Sequence, residues 1–172
     1  VCAHAARGGA VLGVCGGLQM LGEAIVDPEG LEGSGGNAPG LGLLPLVTLF
    51  GAHKALRRTT TRFNTLAGPW AGLSGVAVSG YEIHLGQTAQ HPAMAAGGDV
   101  AVAALPDGLG WQGRGGNVLG VYLHGLFEDE AVLTALLGVG SVDLEQVFNG
   151  LADQVSQQFD PGFLAACIEP AT

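Results

Sequence analysis

A cysteine flanked by glycines follows a short apolar run near the start of the chain. The run covers residues 10–14, and Cys15-Gly16-Gly17 separates it from residues compatible with a helix that begin at Leu18. A continuous apolar run of this length is typical of a strand buried on both faces of a parallel sheet. We therefore expect a strand–turn–helix unit of an α/β fold, with Cys15 at the bend.

Composition supports a folded chain despite its high glycine content. Glycine accounts for 31 of 172 residues, whereas an average protein contains about 7% glycine. However, 48% of the residues are hydrophobic and only 12% are charged, so the chain can bury a core. The length predicts one domain.

Charge and patterning exclude several classes of protein. Six basic residues against 15 acidic ones give a net charge of −9, which repels nucleic acid. We see no apolar run long enough for a membrane span, no signal peptide and no zinc-like spacing of His and Cys. Three cysteines, Cys2, Cys15 and Cys167, fit a reducing compartment better than a disulfide scaffold. We expect a cytoplasmic protein without a nucleic-acid partner, membrane contact or metal.

Further elements follow from apolar runs and their spacing. Glycine and proline in residues 27–45 predict an irregular loop. The strands we expect beyond the first run are 46–50, 76–79 continuing into 81–85, 100–104 and 118–122. We expect a helix over residues 128–137, with acids in its first turn. A second helix is expected in the tail, from Leu144 to Phe159.

The bend makes Cys15 the candidate nucleophile. Small neighbours allow a strained strand-to-helix turn that presents the thiol. A helix N-terminus favours the reactive thiolate, and the Gly16 N–H would point at an oxyanion formed on a group bound to the sulfur. The alternative is an inert, buried cysteine. Cys2 and Cys167 lack this context, and we assign them no role.

A cysteine nucleophile needs a base, and His124 is the candidate. It ends an apolar strand, at the sheet edge where the active sites of open α/β folds collect. His84 lies in the middle of a strand, where a structural role is the simpler interpretation. The remaining histidines have no supporting pattern: His4, His53 and His91.

Three segments in order resemble one family. They are GVCGGLQMLG at 13–22, GYEIHLG at 80–86 and GVYLHGLFE at 120–128. Together they are similar to the glutamine amidotransferase domain in the cobyric and cobyrinic acid synthase branch of triad-type amidotransferases. DPEGLEG at 27–33 and GLGLLP at 40–45 fit the cobyric acid branch.

The resemblance implies a class I-like amidotransferase fold, a layered α/β arrangement with a mostly parallel sheet. In the family, further strands and a Pro-Gly loop that supplies a second oxyanion N–H precede the cysteine unit. We therefore expect residues 1–172 to form a partial amidotransferase domain without its first strands. Its core would span about 9–138, followed by a helical tail over 139–172.

Carried over to these positions, the resemblance makes Cys15 the nucleophile and His124 the general base and acid. It also makes Gly16 an oxyanion donor and Gln19 a contact to bound glutamine. Related enzymes carry an acid two residues after the histidine, where this chain has Leu126. Two alternatives follow: a Cys–His dyad, or an imidazole oriented by an acid elsewhere, with Glu128 and Glu82 as candidates.

The family's reaction implies the partners. Glutamine would be hydrolysed through a Cys15 thioester, and its ammonia would pass to an ATP-dependent synthetase domain upstream. That domain binds the corrinoid and amidates side-chain carboxylates of adenosylcobyrinic acid a,c-diamide in cobalamin biosynthesis. ATP and Mg²⁺ belong there, so we expect no cofactor in this chain, which has no Walker motif.

Other functions remain as alternatives. One is the amidotransferase of cobyrinic acid a,c-diamide synthase or of cell-wall lipid amidation, which GLGLLP and LHGLFE argue against. Another is a docking module without catalysis. Four of the six basic residues are close together and would face the corrinoid or an acidic partner domain, or would lie on a solvated loop or edge strand: Lys54, Arg57, Arg58 and Arg62.

Overall fold

The computed structural model describes residues 1–33, 35–138, 144–158 and 163. The chain divides into two compact units, Val1–Val139 and Gly140–Thr172. In the second unit, α5 spans Leu144–Ser156, which covers most of the predicted tail helix. Phe159 and Cys167 lie outside the described residues.

Strands and short helices alternate along the first unit. The helices are α1 (Cys2–Ala6), α2 (Gly16–Leu21), α3 (Pro92–Ala96) and α4 (Glu130–Leu137). The strands are β1 (Val11–Val14), β2 (Ala24–Asp27), β3 (Gly36–Pro39), β4 (Leu46–Arg62), β5 (Ala77–Gln90), β6 (Val102–Leu105), β7 (Gly110–Gln112), β8 (Val118–Val121) and β9 (Leu123–His124). Two 3-10 helices, Gly68–Leu73 and Leu126–Glu128, complete the unit as described.

These strands form two mixed sheets. The first has the order β1-β8-β7-β6 and the second β3-β2-β4-β5-β9. Only the β1–β8 and β2–β4 pairs are parallel among the seven pairings of the described residues. The α/β class is confirmed, whereas the mostly parallel sheet is not. The physical reason is that the segment 63–76 between β4 and β5 contains the 3-10 helix Gly68–Leu73 and no α-helix that crosses over the sheet, so the two long strands pair antiparallel.

The predicted strands are present, but β4 and β5 extend well beyond the apolar runs that indicated them. A register shift between Phe50 and Ala55 interrupts their pairing, where Gly51 and polar residues break the alternation of the sequence. Four strands, β2, β3, β7 and β9, were not predicted. β3 lies inside the glycine-rich loop, and β9 holds His124 in the second sheet rather than at the end of β8 in the first. Each is four residues or fewer, too short for a period to show.

Packing of α2 on β8 fixes the start of the fold. Leu18 is fully buried, and a Cβ on Gly120 would lie 2.3 Å from its Cδ1 atom, so the helix and the strand approach too closely for any side chain there.

Near the end of the first unit, Asp129 caps α4 by accepting hydrogen bonds from the backbone of Ala131 and Val132. The acidic start predicted for this helix is confirmed. No helix of the described residues has the length and apolar character to cross a membrane.

Candidate active site

Cys15 lies at the bend between β1 and α2, as the sequence predicts. Its backbone has φ 52° and ψ −112°, a conformation that costs a non-glycine residue about 1–3 kcal/mol. The turn also needs Gly13, because a Cβ there would lie 2.7 Å from the Gly17 carbonyl carbon. The Cys15 N–H donates to the carbonyl of Val121 in β8 at 2.8 Å, which holds the strained residue in place.

The thiol of Cys15 is directed at the second sheet. Its Sγ atom donates to the carbonyl oxygen of Ile83 in β5 at 3.4 Å. Partial burial raises the pKa of the Cys15 thiol, the Gly16 N–H lowers it, and the Glu32 carboxylate adds to the rise. The net shift is upward, so the expected stabilisation of the thiolate by a helix N-terminus is outweighed. With only six residues, α2 has a small dipole to offer.

A cavity of about 240 Å³ opens beside the thiol. Its walls combine the bend at Cys15, residues of β5 and β4, and Glu32 of the glycine-rich loop. The lining residues are Cys15, Gly16, Gln19, Glu32, Phe50, Lys54, Ile83, His84 and Leu85. Among the predicted site residues, the cavity therefore brings together Cys15, Gly16 and Gln19. Glu32 and Lys54 were not predicted for this site.

His84 lines this cavity and is rigidly held. Its Nδ1 atom is 2.7 Å from the Gly86 carbonyl oxygen, and its Nε2 atom is 3.0 Å from Oε1 of Glu82. The ring stacks on Tyr122, with centroids 3.8 Å apart. Both ring nitrogens of His84 are therefore engaged by the protein. His84 thus has the structural contacts predicted for it, but it also forms a wall of the cavity.

His124 lies in β9, opposite Tyr81 of β5. Its Nε2 atom is buried and has no hydrogen-bond partner among the described residues, which is unusual for a buried polar atom. It is not among the lining residues of the Cys15 cavity. The two residues share neighbouring backbone: Cys15 bonds to Val121 and to Ile83 of β5, while β9 begins two residues after Val121 and pairs with β5.

Gln19 is buried at the base of the cavity. Its Nε2 atom donates to the hydroxyl of Tyr122 at 3.3 Å, and that hydroxyl is 2.5 Å from Oγ1 of Thr88. Burial is the main cause that raises the pKa of Tyr122, which keeps the phenol protonated. The Nε2 end of the Gln19 amide is therefore bonded to Tyr122. The contact between Gln19 and bound glutamine stays a prediction.

The two acids considered as partners of His124 lie in different settings. Both oxygens of Glu82 are engaged, one by His84 and the other by Arg57 at 2.5 Å. Glu82 therefore orients His84 in this structure. Glu128 is exposed and lines a separate cavity of about 190 Å³ beside Gly125. The buried Glu82–His84 pair carries a sequence signal, an acid and a histidine two residues apart on one face of a strand.

A strained residue on a strand-to-helix bend, beside a cavity with buried polar groups, is the arrangement found in α/β enzymes that carry their nucleophile on such a turn. The chain belongs to the family of CobB/CobQ-like glutamine amidotransferase domains, whose match covers residues 1–132. The resemblance found in the sequence is thereby confirmed.

Two curated relatives with high sequence identity to this chain are both cobyric acid synthases. The chain is 60% identical to a cobyric acid synthase of Polaromonas naphthalenivorans (strain CJ2), over 98% of this chain and 34% of the relative. It is 63% identical to the cobyric acid synthase of Acidovorax ebreus (strain TPSY), over 96% of this chain and 33% of the relative. The chain thus spans about a third of the length of the curated relatives it matches.

Proposed function

We propose that this chain releases ammonia from the side-chain amide of glutamine through a thioester on Cys15. The observation that carries the proposal is the strained conformation of Cys15 at the mouth of a cavity, in a chain of the amidotransferase family. A backbone conformation this costly persists where surrounding structure enforces it, as at the nucleophile turns of hydrolases.

Acylation would start with attack of the Cys15 sulfur on the amide carbon of glutamine, while the thiol proton passes to His124. The Gly16 N–H, which already faces the sulfur, would stabilise the oxyanion. As the C–N bond breaks, the leaving nitrogen takes the proton from His124 and departs as ammonia. A glutamyl thioester remains on Cys15.

Deacylation would restore the thiol. Water attacks the thioester carbon and gives a proton to His124, which returns it to the sulfur as the C–S bond breaks and glutamate leaves. The buried Nε2 atom of His124 has no hydrogen-bond partner in the part of the chain that the structure describes. This supports the role, because a group that must exchange protons needs a nitrogen free of structural bonds. We retain the Cys–His dyad, since the Glu82 carboxylate is committed to His84 and Arg57.

The destination of the ammonia is proposed from the relatives. Cobyric acid synthases about three times as long as this chain have room for an ATP-dependent synthetase domain. We propose that ammonia reaches such a domain and there amidates side-chain carboxylates of adenosylcobyrinic acid a,c-diamide, with ATP and Mg²⁺ bound to that domain. The corrinoid, ATP and Mg²⁺ would then bind to that domain and would not contact the residues described above.

Ammonia release from glutamine tests the proposal. The unaltered chain and Cys2→Ala should release ammonia, whereas Cys15→Ala should reduce release to background; Cys2 is an exposed cysteine far from the bend in sequence and serves as the matched control. Equal release by Cys15→Ala would overturn the proposal. No release by any form, without labelling of Cys15 by an electrophilic glutamine analogue, would favour the docking module.

A further inference from the structure

One face of the β4–β5 pair is exposed. In an antiparallel pair, directly opposite residues and alternate residues of one strand lie on the same face. Arg58 therefore shares its face with Tyr81, its partner in β5, and its guanidinium carbon lies 5.8 Å from the centroid of the Tyr81 ring. Leu56 lies on the same face and is 72% exposed, and Tyr81 is 46% exposed. We call the surface formed by Leu56, Arg58 and Tyr81 the Tyr81 face.

The Tyr81 face continues towards the histidine of the proposed mechanism. Tyr81 is opposite His124 in the pairing of β5 with β9, so both residues belong to one face of the second sheet. A cavity of about 190 Å³ is lined by Arg58 and Tyr81 together with Gly125, which follows His124. Ammonia that takes its proton from His124 would therefore form on the side of the sheet to which the Tyr81 face belongs.

The residue types and the open strand edge of this surface are suited to a protein partner. Tyrosine and arginine are enriched among the residues that carry most of the binding energy of protein interfaces. Next to the face, β2 pairs with β4 only at residues 47–49. No strand of the described residues covers the same edge of β4 at 54–62, which leaves backbone N–H and C=O groups open to a partner.

Charge and shape select the kind of partner. Four of the six basic residues of this acidic chain lie within residues 54–62. A second copy paired along this edge would bring like charges together, which destabilises a sheet. Pockets for drug-sized ligands have about 300–1,000 Å³, and a corrinoid is larger than such ligands. The two cavities at this surface have only about 190 and 300 Å³. An acidic protein surface therefore fits better than a second copy or the corrinoid.

We propose that the Tyr81 face docks an acidic surface of the domain that consumes the ammonia. The inference rests on the proposed function and adds where the consuming domain is held. The relatives are about three times as long as this chain, which leaves sequence for such a domain. Docking here would cover the cavity beside Gly125 and keep water away from the ammonia released at His124.

A chimera tests the transfer of ammonia that docking would provide. In it, this chain replaces the matching third of the cobyric acid synthase of Polaromonas naphthalenivorans. Glutamate release, amidation supported by glutamine and amidation supported by ammonium chloride are measured with ATP, Mg²⁺ and adenosylcobyrinic acid a,c-diamide. Because added ammonium bypasses docking, the ratio of the glutamine-supported rate to the ammonium-supported rate reports transfer between the domains.

The variants alter two contacts of the Tyr81 face: Arg58→Glu and Leu56→Asp. Their control is Arg7→Glu, an exposed cation at the end of α1. Loss of an interface anchor predicts a ratio at least about tenfold lower in each variant. Glutamate release and ammonium-supported amidation should stay unchanged, which shows that both parts remain folded. If both variants keep the ratio of the control, the inference is wrong.

Nitration measures whether the face is covered. The chain has two tyrosines: Tyr81 is exposed, whereas Tyr122 is 1% exposed. Tetranitromethane should nitrate Tyr81 in the isolated chain, and the chimera should lose this reaction, as followed by peptide mass spectrometry. Tyr122 should resist in both proteins and reports unfolding if it reacts. Equal nitration of Tyr81 in both proteins would contradict docking, and protection that requires the corrinoid would assign the face to the corrinoid instead.

The outcomes also separate this inference from the proposed function. If the unaltered chimera releases glutamate and the variants keep their ratio, only the docking face is wrong. If the unaltered chimera amidates with ammonium but neither releases glutamate nor amidates with glutamine, both proposals fail.

Discussion

The Cys15 thiol combines strain with a raised pKa. Partial burial and the Glu32 carboxylate both hold its proton, and the Gly16 N–H offsets them only in part. A neutral resting thiol fits a reaction in which His124 takes the proton as substrate arrives. It would also protect the sulfur from oxidants, which react with the thiolate.

The pH dependence of alkylation tests this charge state. Only the thiolate reacts, so the rate of Cys15 labelling by iodoacetamide rises as pH rises through the pKa. A pKa raised from its ordinary value of 9.0 places the midpoint above pH 9.0. Glu32→Gln removes a negative charge that favours the thiol and should move the midpoint to lower pH, whereas Glu29→Gln should not. An unshifted midpoint in Glu32→Gln would contradict the assignment.

Some residues of the site could be predicted from the sequence, and others could not. Cys15 was predicted because its flanking glycines are adjacent in sequence, and the positive φ confirms the bend. Glu32 was not predicted, because Asp27 positions it through hydrogen bonds inside a loop that has no periodicity. Contacts of this kind depend on tertiary structure and leave no local signal.

Strand β5 organises the elements of the site. It pairs with β4 along most of its length and with β9 at Tyr81 and Glu82, and it provides Ile83 and His84 to the Cys15 cavity. Its length could not be predicted, because glycines and polar residues interrupt the alternation that marks a strand. Pairing with β4 on one side is what keeps those positions extended.

Gly80→Ala tests the contact between β5 and β9. A Cβ at this position would lie 2.1 Å from the carbonyl oxygen of His124, so β9 must move away and carry the imidazole with it. Ammonia release should fall at least about tenfold, because displacement by an ångström is enough to lose catalytic alignment. The matched control is Gly51→Ala in β4, where a Cβ would meet nothing within 4 Å. Full activity in Gly80→Ala would argue against a role for His124.

At the scale of the first unit, Cys15 connects the two sheets. Its N–H bonds to β8 of the first sheet and its thiol to β5 of the second. The site therefore depends on how the two sheets pack. The hydrophobic pattern predicted strands β1, β4, β5, β6 and β8, and the motifs predicted the family. Neither indicated the antiparallel pairings, since strand order and direction are set by contacts between residues far apart in sequence.

The central claim is that Cys15 is acylated by glutamine with the help of His124. Rapid quenching of the reaction, followed by intact-mass and peptide analysis, measures this directly. The account predicts a glutamyl adduct on Cys15 in the unaltered chain. It predicts no adduct in His124→Ala, although iodoacetamide should still label Cys15 in that variant. An adduct on another residue, or the usual adduct and ammonia release in His124→Ala, would contradict it.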